Sequence, residues 1–136
     1  MVRTGIRSSA IILRNNKILL IHRKKDGDEY WTFPGGGVED GETWENTVTR
    51  EVKEETGLEV LSYELAFMNK TYEGGNEHPF YLCKVKDGEA VLGGEEKEKN
   101  SESNFYKLEW IDLSNLQNVN LLPENAKEEI IKRYSK

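Results

Sequence analysis

The alternation of apolar and polar positions divides the chain into alternating strand-like and helical segments. Ile6 to Leu13 is rich in apolar and β-branched residues and predicts a strand. Asn15-Asn16 is a turn signal, and Lys17 to His22 predicts the paired strand. Asp26-Gly27 marks a loop, and Tyr30 to Phe33 a short strand stopped by Pro34. Gly35-Gly36-Gly37 then reads as a glycine-rich loop, free to adopt backbone conformations that other residues resist. From about Thr43 to Thr56 the period changes. Trp44, Val48 and Val52 recur on one helical face, and Gly57 stands where a C-terminal cap is expected.

Beyond the helix, Glu59 to Thr71 predicts extended chain, Glu73-Gly74-Gly75-Asn76 a loop, and Phe80 to Lys86 a strand closed by a turn at Asp87-Gly88. Gly93 to Ser103 is acidic, lysine-containing and nearly free of apolar side chains, which predicts a mobile loop. Tyr106 to Ile111 returns to strand character. Pro123 suits a helix first turn, and Ala126, Ile130, Ile131 and Tyr134 form a second helical stripe. With no repeat and no linker, residues 1–136 are expected to form one layered α/β (α+β) domain.

The first helix carries the chemistry. Glu51, Glu54 and Glu55 fall at i, i+3 and i+4 and share one side of it. Carboxylates this close repel, and a cation between them removes the repulsion; oxygen-only ligands suit Mg²⁺ or Mn²⁺. At about 100° per residue, Glu55 falls within the arc of Trp44, Val48 and Val52, Glu51 at its edge and Glu54 further round. An acid on the buried side is costly unless paired or metal-bound. The plainer alternative is a solvated helix laced by pairs such as Arg50 with Glu54.

The glycine loop in front of that helix tips the balance. Gly36, Glu42, Arg50-Glu51, Val52, Glu54-Glu55, Gly57 and Leu58 match the signature of the Nudix hydrolases at every defined position between residues 36 and 58, and Trp31-Thr32-Phe33-Pro34-Gly35 is similar to the family's approach to that box. The resemblance implies an α/β/α sandwich with a mixed sheet between helices. It implies a Mg²⁺-dependent hydrolase (Mn²⁺ as an alternative) of a diphosphate linked to another group. Glu51, Glu54 and Glu55 would be the metal ligands, joined by the carbonyl of Gly35 or Gly36. Glu51, or a glutamate in a later loop, would be the base, and Arg50 would orient a carboxylate by a charge-assisted hydrogen bond. Glu51, Glu54 and Arg50 form the expected catalytic set, with Gly35, Gly36 and Arg23 as substrate contacts. Glu42 reads as a support near the helix start, and Glu39 either as an acid reaching the metal cluster in a supporting role or as a solvated loop acid. Glu95, Glu96, Glu98 and Glu102 are the choices for a further acidic ligand.

Composition narrows the partners. A formal net charge of −6 over 136 residues argues against a nucleic acid polymer, and His22-Arg23-Lys24-Lys25 is the only basic cluster of note. Cys83 is the single cysteine, so neither an internal disulfide nor a cysteine zinc site can form, and it reads as a small core residue. No segment resembles a signal peptide or a membrane span, and a cytoplasmic location is the expectation. A homodimer is compatible with these features.

The substrate is less legible. Tyr30, Trp31, Tyr72, Phe80 and Tyr81 are aromatics that could stack on a base, or simply strand packing. His22 beside Arg23 could reach phosphate; His78 lies next to Pro79 in a loop. ADP-ribose-hydrolysing relatives often carry a proline where this chain has Glu73. Tyr72 lies just before the place of the tyrosine found in dinucleoside-polyphosphate relatives. The single cysteine excludes the four-cysteine module of NADH-hydrolysing ones. The compact layout resembles the MutT-like group, which implies a nucleoside triphosphate. The alternatives are ADP-ribose, sugar nucleotides, dinucleoside polyphosphates, or a non-catalytic nucleotide sensor.

Overall fold

The architecture is a mixed sheet with helices on both faces, described by a computed structural model over residues 3–70 and 76–135. The strands are β1 (Arg3–Arg14), β2 (Lys17–Lys25), β3 (Asp28–Thr32), β4 (Gly35–Glu39), β5 (Val60–Lys70), β6 (Glu77–Val85) and β7 (Asn104–Asp112). The helices are α1 (Trp44–Thr56), α2 (Gly94–Lys99) and α3 (Glu124–Tyr134), with a 3₁₀ turn over Leu113–Asn118. The main path runs β3-β2-β1-β6-β5, while β4 pairs with β1 and β7 with β2. β1 and β6 are parallel and the other pairings antiparallel.

Strand β1 is buried on both faces, which explains its unbroken apolar run. Ala10 and Ile12 point to one side with Leu19, Val48, Val52 and Tyr81; Ile11 points to the other with Ile18, Leu20, Phe80, Leu116 and Ile130. The sheet is thus the filling between α1 on one side and α3 with the 3₁₀ turn on the other. Val48 and Val52 are completely buried, and each contributes about 1.5–3 kcal/mol of apolar burial. Helix α1 starts and stops as its sequence dictates. The Thr43 hydroxyl accepts from the Asn46 N–H, and Gly57 takes the left-handed conformation at φ 73° while its N–H caps the Lys53 carbonyl.

Two expectations need correction. Gly35-Gly36-Gly37 is not a loop but part of β4, paired Ser9 to Gly35, Ser8 to Gly36 and Arg7 to Gly37. A Cβ on Gly35 would lie 2.3 Å from the Ser8 carbonyl oxygen, so glycine here permits close strand pairing rather than flexibility. The acidic stretch Gly93 to Ser103 contains α2, docked on the end of α1 by the Gly93 N–H on the Glu55 carbonyl at 3.0 Å. The expected loop at Glu73-Gly74-Gly75 and the position of Tyr72 lie outside the described residues.

Candidate active site

Glycine strand β4 and helix α1 meet at the three helix carboxylates. Glu55 is 3% exposed, the Glu51 side chain 18% and the Glu54 side chain 51%, the order the helical wheel predicts. The Gly35 N–H donates to Glu55 Oε1 at 2.8 Å, tying β4 to the helix. Burial pushes the Glu55 carboxyl up to about 9; the Gly35 N–H opposes this, and the nearby Glu96 carboxylate adds to it. Burial likewise raises Glu51, against the pull of Arg50, with Glu54 and Glu96 adding repulsion. Glu96 projects from α2 towards the same place. Of the four later acids considered, it is the one set against Glu51 and Glu55; Glu98 is exposed, and Glu102 borders a separate cleft with Lys24 and Lys25. The side chain of Glu95 lies outside what the structure describes.

Arg50 binds these acids from the other side. Its Nε and Nη2 each donate to Glu42 at 3.0 Å, and Nη1 donates to Glu51 at 2.9 Å and to Glu54 at 3.4 Å. Glu42 is further held by the Glu39 backbone N–H and the Thr47 hydroxyl. The Arg50 hydrogen bond, reinforced by that N–H, keeps the Glu42 carboxyl at about 2. Glu42 is therefore an anchor for Arg50, and Arg50 a positioning group for Glu51 and Glu54. Glu39 contributes its backbone N–H to this anchor.

Among the described residues, no group of three Asp, Glu, His or Cys side chains already stands close enough together to hold a metal ion. The reason is visible: Arg50 Nη1 occupies the space shared by Glu51 and Glu54, and Glu55 is turned to Gly35. The donor set is nonetheless the one a hard divalent cation requires, all oxygen and mutually repelling. The backbone at Gly36 leaves a niche that the Glu51 carboxylate fills, since a Cβ there would lie 2.4 Å from Glu51 Cδ.

Glu55 and Glu96 line a cavity of about 470 Å³. Ile21, Phe80 and Leu122 give it apolar walls; Arg7, Arg23 and Asn69 give it polar ones. Arg23 lies over the Tyr106 ring at 3.8 Å, with Tyr30 at 5.8 Å, and its Nη2 donates to Asn104 Oδ1. Arg7 Nη2 donates to the Phe33 carbonyl at 3.0 Å.

The aromatic and histidine expectations separate cleanly. Tyr30 and Phe80 border the cavity, whereas Tyr81 lies across the sheet and donates to Glu45 at 2.8 Å. Trp31 stacks on His22 at 4.1 Å. Both His22 ring nitrogens are taken, by Glu29 at 2.7 Å and Glu109 at 3.0 Å, so His22 serves the sheet rather than a phosphate. His78 lies at the cavity, where Nδ1 accepts the Arg7 backbone N–H at 2.9 Å. Buried Cys83, its thiol pushed up to about 12 by desolvation, is a core residue. Arg7, Asn69 and Tyr106 escaped the sequence reading, because a polar residue on a strand carries no periodic signature.

Comparison with known proteins follows the same lines. The family model described as NUDIX domain matches residues 4–134. The ADP-ribose pyrophosphatase of Methanocaldococcus jannaschii is 38% identical over 127 residues, covering 91% of this chain and 69% of that protein. The uncharacterized Nudix hydrolase YvcI of Bacillus subtilis is 27% identical over 118 residues, covering 85% and 71%. Other relatives are longer, and the chain spans less than half of them. A structure from a study of MutT from Aliivibrio salmonicida and Vibrio cholerae superposes with a TM-score of 0.73 at 22% identity, over 95% of this chain and 98% of that one, and shares the fold.

Proposed function

The chain belongs to the Nudix hydrolase family, and on that premise we propose that it cleaves a nucleoside triphosphate to the monophosphate and pyrophosphate. One observation carries the reading: Glu55 and Glu96 line a cavity together with Ile21, Phe80 and Leu122, and Glu96 also faces the neighbouring helix acid Glu51. That lining suits an anionic phosphate group beside the acids and a flat, weakly polar group against the apolar walls. A diphosphate would be repelled by these acids alone. A divalent cation, Mg²⁺ or Mn²⁺, reverses the local sign and acidifies a bound water.

The chain's own residues do the rest. Glu51, Glu54 and Glu55 would hold the cation, with Glu96 completing the set in place of the other downstream acids. Gly36 supplies the niche for Glu51, and the Gly35 N–H fixes the rotamer of Glu55. Arg50, anchored on Glu42, keeps Glu51 and Glu54 aligned. Glu51, the least exposed of the three acids touching Arg50, would take a proton from the attacking water. A cytoplasmic setting, where nucleotides are plentiful, accompanies this reading.

ADP-ribose is the second reading, favoured by the 38% identity to the archaeal enzyme of that name. The deciding experiment presents standard and oxidised nucleoside triphosphates, ADP-ribose, sugar nucleotides and dinucleoside polyphosphates with Mg²⁺ or Mn²⁺, and identifies products by chromatography. Monophosphate plus pyrophosphate from a triphosphate supports the proposal. Turnover of ADP-ribose alone replaces it with the second reading, and binding without turnover across the panel points to a nucleotide sensor.

A further inference from the structure

Strand β5 ends the sheet, and among the described residues no strand pairs with its outer edge. An open edge presents unpaired N–H and C=O groups, which soluble proteins usually protect with charges, a proline or a short strand. β5 is poorly protected: it runs for 11 residues without a proline, and Glu64 and Lys70 are its only charges. Five large hydrophobic side chains are exposed among the described residues, and three of them, Leu61 (63%), Tyr63 (48%) and Leu65 (50%), lie on this one strand. Their spacing of two puts them on one face. Tyr63 and Leu65 stand beside Cys83 and Tyr81 of β6, on the α1 side of the sheet, and none of residues 61–65 lines the cavity. The register with β6 shifts between Val60 and Ser62 and again between Leu65 and Phe67. Such irregularities bend a strand, so the part able to pair is the stretch between them.

That stretch is complementary to itself. Leu61-Ser62-Tyr63-Glu64-Leu65 reads as apolar, polar, aromatic, polar, apolar in either direction. Antiparallel pairing about a two-fold axis at Tyr63 sets Leu61 against Leu65 of the second copy, Ser62 against Glu64, and Tyr63 against its own copy. Charge fits the same register. On the face opposite the apolar one, Lys84 of β6 stands beside Ser62, and both Lys84 and Glu64 are exposed. The small Ser62 lets Lys84 of one copy reach Glu64 of the other across two strand spacings, about 10 Å, and the axis makes this contact twice. Covering this stretch on both copies would bury on the order of 1,000 Å², the size at which specific interfaces begin.

We propose that two copies of this chain pair through β5 in that register, joining their sheets edge to edge and leaving both cavities open. The inference is independent of the substrate. The measurement is sedimentation velocity from low micromolar to near-millimolar protein, on wild type, Glu64→Lys, Lys84→Glu, the double variant and Leu65→Lys. Wild type should be a dimer at the upper end and dissociate in the micromolar range, as suits so small an interface. Each single charge variant sets like charges together at two equivalent places and should weaken association about tenfold. The double variant restores opposite charges and should return to within about threefold of wild type. Leu65→Lys should abolish the dimer. Glu64, Leu65 and Lys84 are all exposed, so the variants should melt like wild type in dilute solution. Should Leu65→Lys melt early, Leu61→Ser tests the same contact from its other side. Amide hydrogen exchange over residues 61–65 should slow as wild-type concentration rises. A monomer at every concentration, a dimer indifferent to Leu65→Lys and Leu61→Ser, exchange independent of concentration, or a double variant no tighter than the single ones would each overturn the proposal. The first of these would leave the edge to an extended segment of another protein.

Discussion

Two adjacent glycines should fail in opposite ways when given a methyl group. In Gly36→Ala the new Cβ would lie 2.4 Å from Glu51 Cδ, 2.6 Å from Oε1 and 2.8 Å from Cγ. These atoms end a flexible side chain and can move. Ordinary contact starts at 3.4 Å, so the carboxylate must withdraw by about 1 Å. A displacement of that size at a reacting centre costs about a hundredfold in rate. Stability should change by less than about 1 kcal/mol, since glycine-to-alanine replacement at a compatible backbone position lowers unfolded-state entropy. Gly35→Ala differs. Its Cβ would meet the Ser8 carbonyl oxygen at 2.3 Å and Ser9 Cα at 2.8 Å, both backbone atoms of central strand β1, and Gly35 has φ +149°. Nothing there yields cheaply, so the loss should reach several kcal/mol, a large part of a typical domain's 5–15 kcal/mol. The assay is kcat with the best substrate at saturating Mg²⁺, beside thermal melting of both variants. Gly36→Ala with activity within threefold of wild type would refute the placement of Glu51, as would a Gly35→Ala protein melting like wild type refute the strand pairing.

Other expectations follow from the same geometry. Glu42→Gln should lose about 1 kcal/mol at neutral pH, as expected for a partly exposed pair. Because Arg50 holds Glu42 at about 2 against an ordinary 4.5, that contribution is present above 4.5 and lost as pH falls towards 2. The gap between the two melting curves should therefore close across that interval, and a gap independent of pH would contradict the pairing. Glu55→Gln keeps an acceptor for the Gly35 N–H while removing a buried acid, so the metal-free variant should melt at or above the wild-type temperature. Added Mn²⁺ should raise wild type by several degrees and the variant by much less; equal gains would remove Glu55 from the cation site.

Much of this site was legible because helix α1 obeys local rules. Thr43 and Gly57 bound it, Trp44, Val48 and Val52 set its buried face, and the 3.6-residue period then dictates that Glu55 turns inward. The signature between residues 36 and 58 tipped those clustered carboxylates towards a cation site and added the role of Arg50. What remained hidden was tertiary. Helix α2 has no apolar stripe to announce it and depends on docking against the end of α1, so the choice of Glu96 could not be made in advance. Gly35 to Gly37 read as a loop because glycine weakens strands in isolation; only the proximity of Ser8 and Ser9 shows why β4 requires it. Asn69 is brought into the cavity by strand register, a property of the β5–β6 pairing and not of its neighbours in sequence.

The central claim is that the α1 carboxylates work through a divalent cation, and Glu54→Gln tests it most directly. The Glu54 side chain is half exposed and meets Arg50 at 3.4 Å, so the variant should fold and melt like wild type. Turnover of the best substrate is measured for both proteins across a Mg²⁺ titration from EDTA to saturation. The account predicts wild-type activity that is absent in EDTA and rises with Mg²⁺, and a variant slower by orders of magnitude at every concentration. Equal turnover by the two proteins, or wild-type activity undiminished in EDTA, would contradict it.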